Sequence, residues 1–245
     1  MPLRILAVIP TLADDPTDTI KSVMKQTVKV SKILVAVGSK ILYQKLASTN
    51  LDIVEYVYVK PTFQDSVGKR VATALNIVLS KMRLEDYDYL LRVDADTILP
   101  SRFIEENLKA DADYVGEAGY AMLIKMNSFI KFFNGRFVEV GAEDSYIGLK
   151  LLSQERSVKS WVLPPKLKRM SGAHHSWRYY FVRGIEMYKL GYEPFHVVEV
   201  LRHDIRNLFT ILGYLITILK GMEHYDFAGW VFRAQLKRLV YGKRL

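Results

Sequence analysis

Short apolar runs alternate along the first half of the chain with stretches whose apolar residues recur every three or four positions. The runs at residues 4–9, 32–37, 53–59 and 87–93 are rich in Ile, Val, Leu and Tyr and read as strands. Between the first two, Asp15-Pro16-Thr17-Asp18 predicts a helix start, with Asp15 as N-cap, Pro16 in the first turn and acids near the positive end of the helix dipole. Ile20, Val23, Met24 and Thr27 then repeat at helical spacing. A second helix is expected from near Gly68, placing Ala72, Leu75, Asn76 and Leu79 on one side, and a third opens at Pro100-Ser101. Such alternation predicts an α/β fold, a mostly parallel sheet flanked by helices.

After Lys109 the pattern changes to a mixed segment over residues 114–137, an acid-led helix over 143–152 and a short strand ended by Pro164-Pro165. From Arg178 onward the chain is rich in aromatic and basic residues, with Trp177, Tyr179, Tyr180 and Phe181 beside Arg178 and Arg183. The expected organisation is a main domain over residues 1–176 and a C-terminal helical, basic and aromatic extension over 177–245. There is no internal repeat and no low-complexity stretch.

Composition narrows the chemistry. The 245 residues are half hydrophobic, enough for one substantial core, and contain no cysteine, which excludes disulfides, thiolate nucleophiles and cysteine-ligated metals. Any metal must sit on carboxylates or histidines. A net charge of +9 and a pI near 9.5 point to an anionic partner: nucleic acid, phosphorylated small molecules or an acidic membrane face. The last residues carry Arg233, Lys237, Arg238, Lys243 and Arg244 with no acid among them. The N-terminal apolar run is too short for a signal peptide and reads as a strand. The most apolar segment, residues 208–219, is well short of the ~20 residues a spanning helix needs.

The strongest chemical signal is Asp94-Ala95-Asp96 at the end of the fourth apolar run. An extended backbone directs residues i and i+2 to the same side, and the position just beyond the carboxyl end of a strand is where open α/β sheets bind ligands. Two hard oxygen donors there suit Mg²⁺ or Mn²⁺, which bridges diphosphate oxygens. The bare tripeptide is common in solvated turns. Its apolar strand before and its helix after make the ligand-binding reading the stronger one.

These residues resemble glycosyltransferase family 2, whose members have the GT-A (Rossmann-like) fold. The resemblance runs in order over residues 3–165. It comprises Val8-Ile9-Pro10-Thr11-Leu12, then Ser22-Val23-Met24-Lys25-Gln26-Thr27, then Gly68-Lys69-Arg70 with Ala72, Ala74, Leu75 and Asn76, then Asp94-Ala95-Asp96. Gly119-Tyr120-Ala121-Met122-Leu123-Ile124, Asn134-Gly135-Arg136-Phe137 and Glu143-Asp144 complete it. It implies that Asp94 holds the donor ribose or a metal-bound water, that Asp96 binds the metal, and that Asp144 is the base that deprotonates the acceptor hydroxyl, giving inversion at the anomeric carbon. It also implies donor contacts from Pro10 and Thr11, with Lys69 and Arg70 as candidates for the phosphates, and a late histidine, His174 or His175, as a further metal ligand. Taken alone, Arg70 is a residue for a surface ion pair, and Glu143-Asp144 an ordinary acidic helix start. One departure stands out: the second strand runs into Gly38-Ser39-Lys40, where the family commonly has acids that recognise the nucleotide base. Asp65 or Asp14 could compensate, although each taken alone reads as a loop carboxylate.

The expectation is therefore a Mn²⁺- or Mg²⁺-dependent inverting glycosyltransferase. It would take a UDP-, GDP- or dTDP-sugar donor and a glycan or lipid-linked acceptor, with no nucleic acid partner, in the cytoplasm and peripheral on the inner face of the membrane. Membrane contact is expected through residues 208–219, the rings of Trp177, Tyr179, Tyr180, Phe181 and Trp230, and the basic tail. Two alternatives compete. A sugar-phosphate nucleotidyltransferase needs a glycine-rich loop after the first strand, and Pro10-Thr11-Leu12-Ala13-Asp14 has no glycine. A basic module for nucleic acid or anionic lipid, with a degenerate site, fits the pI but has no recognisable nucleic-acid-binding motif.

Overall fold

The computed structural model describes residues 2–49, 51–62, 65–117, 119–168 and 176–241. The chain divides into two compact units, Met1–Met170 and Ser171–Leu245.

The first unit is built on a seven-stranded sheet. Its strands are β1 (Ile5–Thr11), β2 (Lys32–Val37), β3 (Val54–Tyr58), β4 (Tyr89–Val93), β6 (Tyr114–Val115), β7 (Ala121–Lys125) and β8 (Val158–Lys159), in the order β3-β2-β1-β4-β7-β6-β8. Only β7 runs against the others in this sheet. A separate antiparallel pair joins β5 (Thr97–Ile98) to β9 (Lys166–Leu167). Around the sheet lie α1 (Thr17–Met24), α2 (Lys40–Ala47), α3 (Val67–Leu79), α4 (Phe103–Leu108), α5 (Met126–Phe133) and α6 (Glu143–Ser153).

Both faces of the sheet are covered, which is why the parallel strands read as unbroken apolar runs. Ile5, Ala7 and Ile9 of β1 face a cluster with Ile20, Val23, Leu42, Leu46, Phe103 and Ile104. Leu6 and Val8 face the opposite cluster with Ala72, Leu75, Phe129, Phe133, Ile147 and Leu151. The side of α3 expected to be buried, Ala72, Leu75, Asn76 and Leu79, is buried throughout. Asn76 belongs there because both ends of its amide are used: it donates to Phe137 O at 2.8 Å and accepts from Phe137 N at 2.7 Å. That fixes the turn after α5, where Asn134 and Gly135 take positive φ of 53° and 67°.

Several boundaries differ from expectation, β1, β3 and α6 by one or two residues at an end and four others for a visible reason. Helix α1 starts at Thr17 with Pro16 in the cap position, while Asp15 Oδ1 accepts from Thr17 N at 3.0 Å and so satisfies a first-turn donor from one residue further out. β4 starts at Tyr89, because Asp88 N is bonded to Arg4 O and its carboxylate accepts from Arg4 N at 2.7 Å. α4 begins at Phe103, with Pro100 O instead accepting from Phe103 N. Pro164 and Pro165 do not end a strand but directly precede β9.

The second unit contains α7 (Trp177–Lys189), α8 (Pro194–Glu199), α9 (Leu208–Leu219) and α10 (Ala228–Tyr241). α7 and α9 pack backbone to backbone through glycine. A Cβ on Gly184 would overlap the carbonyl oxygen of Thr210, and one on Gly213 would overlap that of Phe181. A small core of Met187, Val197, Val200 and Tyr214 closes the unit, with Tyr214 Oη donating to Tyr192 O at 2.7 Å. Among the described residues no helix is long and apolar enough to cross a membrane.

Candidate active site

The strand order reverses between β1 and β4, since β2 lies to one side of β1 and β4 to the other. At such a switch point the loops after adjacent strands separate and leave a crevice at the carboxyl ends. Pro10 and Thr11 end β1 there, and Asp94-Ala95-Asp96 follows β4.

The acidic turn is held by backbone and side-chain bonds on every side. Asp94 N donates to Tyr120 O at 2.9 Å, Thr97 N to Asp94 O at 3.0 Å, and Lys168 N to Asp96 O at 2.8 Å. Thr19 Oγ1 of α1 donates to Ala95 O at 2.7 Å, Leu99 N donates to Ser22 Oγ at 3.1 Å, and Ile104 N to Gln26 Oε1 at 3.0 Å. The buried polar side chains of α1 thus exist to hold the segment that carries the carboxylates. After β1 the chain turns sharply, with Thr11 Oγ1 donating to Asp14 O at 2.6 Å.

Beneath the turn lies a buried cation that sequence reasoning missed. Arg92 of β4 is two residues before Asp94, so both side chains project from the same face. Arg92 Nη2 lies 3.2 Å from Asp94 Oδ1, and Nη1 lies 2.9 Å from Glu143 Oε1 in an ion pair without hydrogen-bond alignment. Arg92 Nε is buried with no hydrogen-bond partner among the described residues. The arginine side chain is 3 % exposed and that of Glu143 is 6 %. A charged side chain in the middle of an apolar strand was itself a signal, because a buried arginine requires carboxylates around it.

Glu143 and Asp144 form the first turn of α6, where the helix dipole favours negative charge. Glu143 turns inward against Gly68, in the first turn of α3, where a Cβ would overlap its carboxylate. Asp144 is half-buried, and its Oδ2 lies, with Arg92 Nη2, 3.2 Å from where a Cβ on Gly119 would stand. Gly119 therefore leaves open the space beside Asp144 and Arg92 that a side chain would fill. The two motifs, far apart in sequence, meet here: Asp94 feels the charges of both Asp96 and Asp144.

The electrostatics follow from burial around one cation. Burial pushes the Glu143 carboxyl up to about 7, although the Arg92 guanidinium opposes this. Burial also raises Asp94 against the pull of Arg92, with the charges of Asp96 and Asp144 adding to the rise. Asp94 sits deep in the cleft but keeps 30 % of its side chain open to solvent, so its desolvation is partial. For Arg92, burial works against the charge, but Asp94, Glu143 and Asp144 more than offset it and hold the guanidinium protonated. The Tyr114 hydroxyl is raised by burial and by Asp144, and stays neutral.

Asp96 has no cation partner among the described residues. Three carboxylates, Asp94, Glu143 and Asp144, thus act on one buried guanidinium, and Asp96 adds its charge beside Asp94, which leaves an excess of negative charge facing the cleft. Among the described residues no cluster of three or more histidine or acidic side chains is arranged as a complete metal cage. Two carboxylates are nevertheless what a Mg²⁺- or Mn²⁺-type ion takes from a protein when substrate phosphates complete its coordination. The donor set fits that mode.

The other expected residues are placed as follows. Lys69 Nζ pairs with Asp65 at 2.8 Å, across one turn. Arg70 is partly buried, and its Nε has no hydrogen-bond partner among the described residues. Beyond β2, Ser39 caps α2 by accepting from Leu42 N at 3.3 Å, and Gly38 packs against Leu12. His174 and His175 lie outside the described residues.

Neither a family model nor a curated protein matches the sequence. Among solved structures, the chain is similar to the mannosyltransferase PcManGT from Pyrobaculum calidifontis, determined in complex with GDP-Man and Mn²⁺. That match has 14 % identity, covers 99 % of this chain and 82 % of that one, and has a TM-score of 0.57. It is similar also to S. aureus TarS, at 12 % identity over 96 % of this chain and 46 % of that chain, with a TM-score of 0.52. A shorter TarS structure, 1–349, matches at 14 % identity over 87 % and 71 %, with a TM-score of 0.51. At these identities the likeness is one of fold: the chain is an α/β protein whose mostly parallel sheet and flanking helices match those of a solved glycosyltransferase.

Proposed function

We propose that the chain is an inverting, divalent-metal-dependent glycosyltransferase of the family 2 type, moving a sugar from a nucleotide-sugar donor to an acceptor hydroxyl. The observation that carries this reading is the convergence of Asp94 and Asp96 with Asp144 at the β1/β4 crevice, around the buried Arg92. The fold it shares with a mannosyltransferase determined with GDP-Man and Mn²⁺ supports the same class of donor and metal.

In this reading Pro10 and Thr11 line the donor site at the end of β1, and Asp94 holds the donor close to the turn. Asp96 supplies the carboxylate for Mn²⁺ or Mg²⁺, and His174 and His175 are the imidazoles the sequence offers as a further donor. A divalent cation bound there neutralises charge on the diphosphate. Asp144 accepts the proton of the acceptor hydroxyl as its oxygen attacks the anomeric carbon from the face opposite the nucleotide. The bond from that carbon to the diphosphate oxygen breaks, and its electron pair leaves with the nucleotide. Glu143 and Arg92 act behind this: they fix the first turn of α6 and so the direction of Asp144.

The test is nucleotide release and sugar transfer from a panel of nucleotide-sugars with Mn²⁺, for the wild type and Asp144→Asn. The expected result is a loss of transfer of about 10²-fold or more with donor affinity by calorimetry unchanged, because the proton moves only as the bond forms. Transfer at the wild-type rate in the variant refutes the role of Asp144. Failure of every donor both to bind and to react refutes the glycosyltransferase reading itself.

A further inference from the structure

Helix α9 is folded inside out. An amphipathic helix in water buries its apolar side. The side of α9 turned inward carries Thr210, Gly213, Tyr214 and Thr217. Its outward midline is Leu208, Leu212, Leu215 and Leu219, which expose 53, 46, 50 and 85 % of their surface, with Phe209 and Ile218 on either side. The inward polar groups are satisfied locally: Thr217 Oγ1 donates to Gly213 O at 2.6 Å, Thr210 Oγ1 to Asn207 Oδ1 at 3.1 Å and Tyr214 Oη to Tyr192 O at 2.7 Å. Contact with α7 is made through the close-packed Gly184 and Gly213. Small residues between helices and aliphatic ones outside are the arrangement of helices whose surrounding medium is lipid.

The segments flanking this face are basic on balance, against exposed Glu199 and Glu223. Exposed Arg202 and His203 precede the helix, Lys220 follows it, and α9 itself has no charged residue. At its start, exposed Trp177 packs on Phe209 at 6.0 Å between ring centroids, with the Arg178 guanidinium 5.5 Å over the Trp177 ring. Residues 176–245 contain eleven Lys and Arg against six Asp and Glu, a surplus of five positive charges. Two of those acids, Glu186 and Glu193, are buried, and Asp204 is paired with Arg206. A second copy of the chain laid on this face would bring basic margins together, whereas an acidic bilayer complements them.

We infer that the outward leucine face of α9 lies in the headgroup and upper acyl layer of an anionic lipid bilayer, with Arg202 and Lys220 at the phosphates and Trp177 at the interface. With twelve residues, roughly 18 Å long, the helix rests in the surface and does not cross it. This inference stands on the second unit alone and is independent of the catalytic reading.

The test is co-sedimentation of the full-length protein with phosphatidylglycerol/phosphatidylcholine vesicles and with phosphatidylcholine vesicles at low salt, for the wild type and Leu212→Glu/Leu215→Glu. The expected result is binding that favours the anionic vesicles and falls at least tenfold in the variant, with an unchanged thermal midpoint. Quenching of wild-type tryptophan emission by brominated lipid in the anionic vesicles reads the same contact without any substitution, and it is expected to occur. The inference is overturned if the wild type ignores anionic vesicles, if the variant binds as well as the wild type, or if brominated lipid leaves the emission unchanged. It is equally overturned if sedimentation velocity shows a dimer that the variant dissociates while vesicles are not bound, which assigns the face to a second copy.

Discussion

Replacing Glu143 by Gln changes how stability depends on pH, and both sign and size follow from the site. The Glu143 carboxyl, 6 % exposed, is pushed from 4.5 to about 7 by burial. The folded protein therefore keeps this proton to higher pH than the unfolded chain, so the wild type loses stability as pH rises from near 4.5, and the loss is complete above 7. At about 1.4 kcal/mol per pKa unit the full effect is on the order of 3 kcal/mol. An amide copies the shape of the neutral acid and does not titrate. Glu143→Gln is thus expected to gain under about 1 kcal/mol over the wild type at pH 5 and about 3 kcal/mol at pH 8. Asp94 titrates in the same direction and is present in both proteins, so the difference between them reports Glu143 together with its coupling to Asp94. The measurement is urea denaturation of both proteins at pH 5, 6, 7 and 8 with chelator present, so that no metal ion alters the local charge. A difference that stays flat across this range, or that shifts in favour of the wild type at high pH, refutes the claim that burial outweighs the Arg92 pair.

Two further outcomes are expected. Asp96→Asn loses the Mn²⁺-dependent part of nucleotide binding by calorimetry while its thermal midpoint stays within a few degrees, because the Asp96 carboxylate has no cation partner among the described residues to lose; Mn²⁺-dependent binding at the wild-type level would remove Asp96 from the metal site. Gly184→Ala costs about 1–3 kcal/mol in urea denaturation, because its Cβ overlaps a backbone carbonyl. Gly148→Ala, a helical position where a Cβ meets nothing within 4 Å, gains about 0.5–1 kcal/mol; equal effects at the two glycines would contradict the close α7–α9 packing.

Much of the first unit was legible because parallel strands buried on both faces leave short apolar runs that alternate with helical repeats. β2 was read at its observed bounds, and the four residues grouped on one side of α3 are all buried, with Gly68 and Val78 buried beside them. Local signals failed where the deciding partner is remote. β4 starts later than its apolar run because Asp88 is tied to Arg4 at the start of the neighbouring strand. The antiparallel direction of β7 has no periodic signature at all. Arg92 was passed over because its partners, Asp94 and Glu143, are contributed by different elements, and only the fold shows that one guanidinium serves both. In α9 the apolar run was plain, but sequence could not say which side faced inward, since a core helix and a surface helix can share that composition.

Helix α1 explains why an acidic cluster can persist at the crevice before any ligand arrives. Asp94, Asp96 and Asp144 repel one another, and a loop left to itself would turn them out into water. Here the loop cannot do so, because Thr19 and Ser22 of α1 take up Ala95 O and Leu99 N, and Gln26, just past the helix end, takes up Ile104 N. The apolar repeat of Ile20 and Val23 packs the same helix into the core, so the polar face is held in place by the hydrophobic one. The repulsion is then relieved from within by Arg92, which neutralises part of the charge and leaves the remainder directed at the cleft. A cation delivered with an anionic substrate would meet a site already shaped for it, at little cost in reorganisation, which is the condition under which fixed charges contribute most to binding and catalysis.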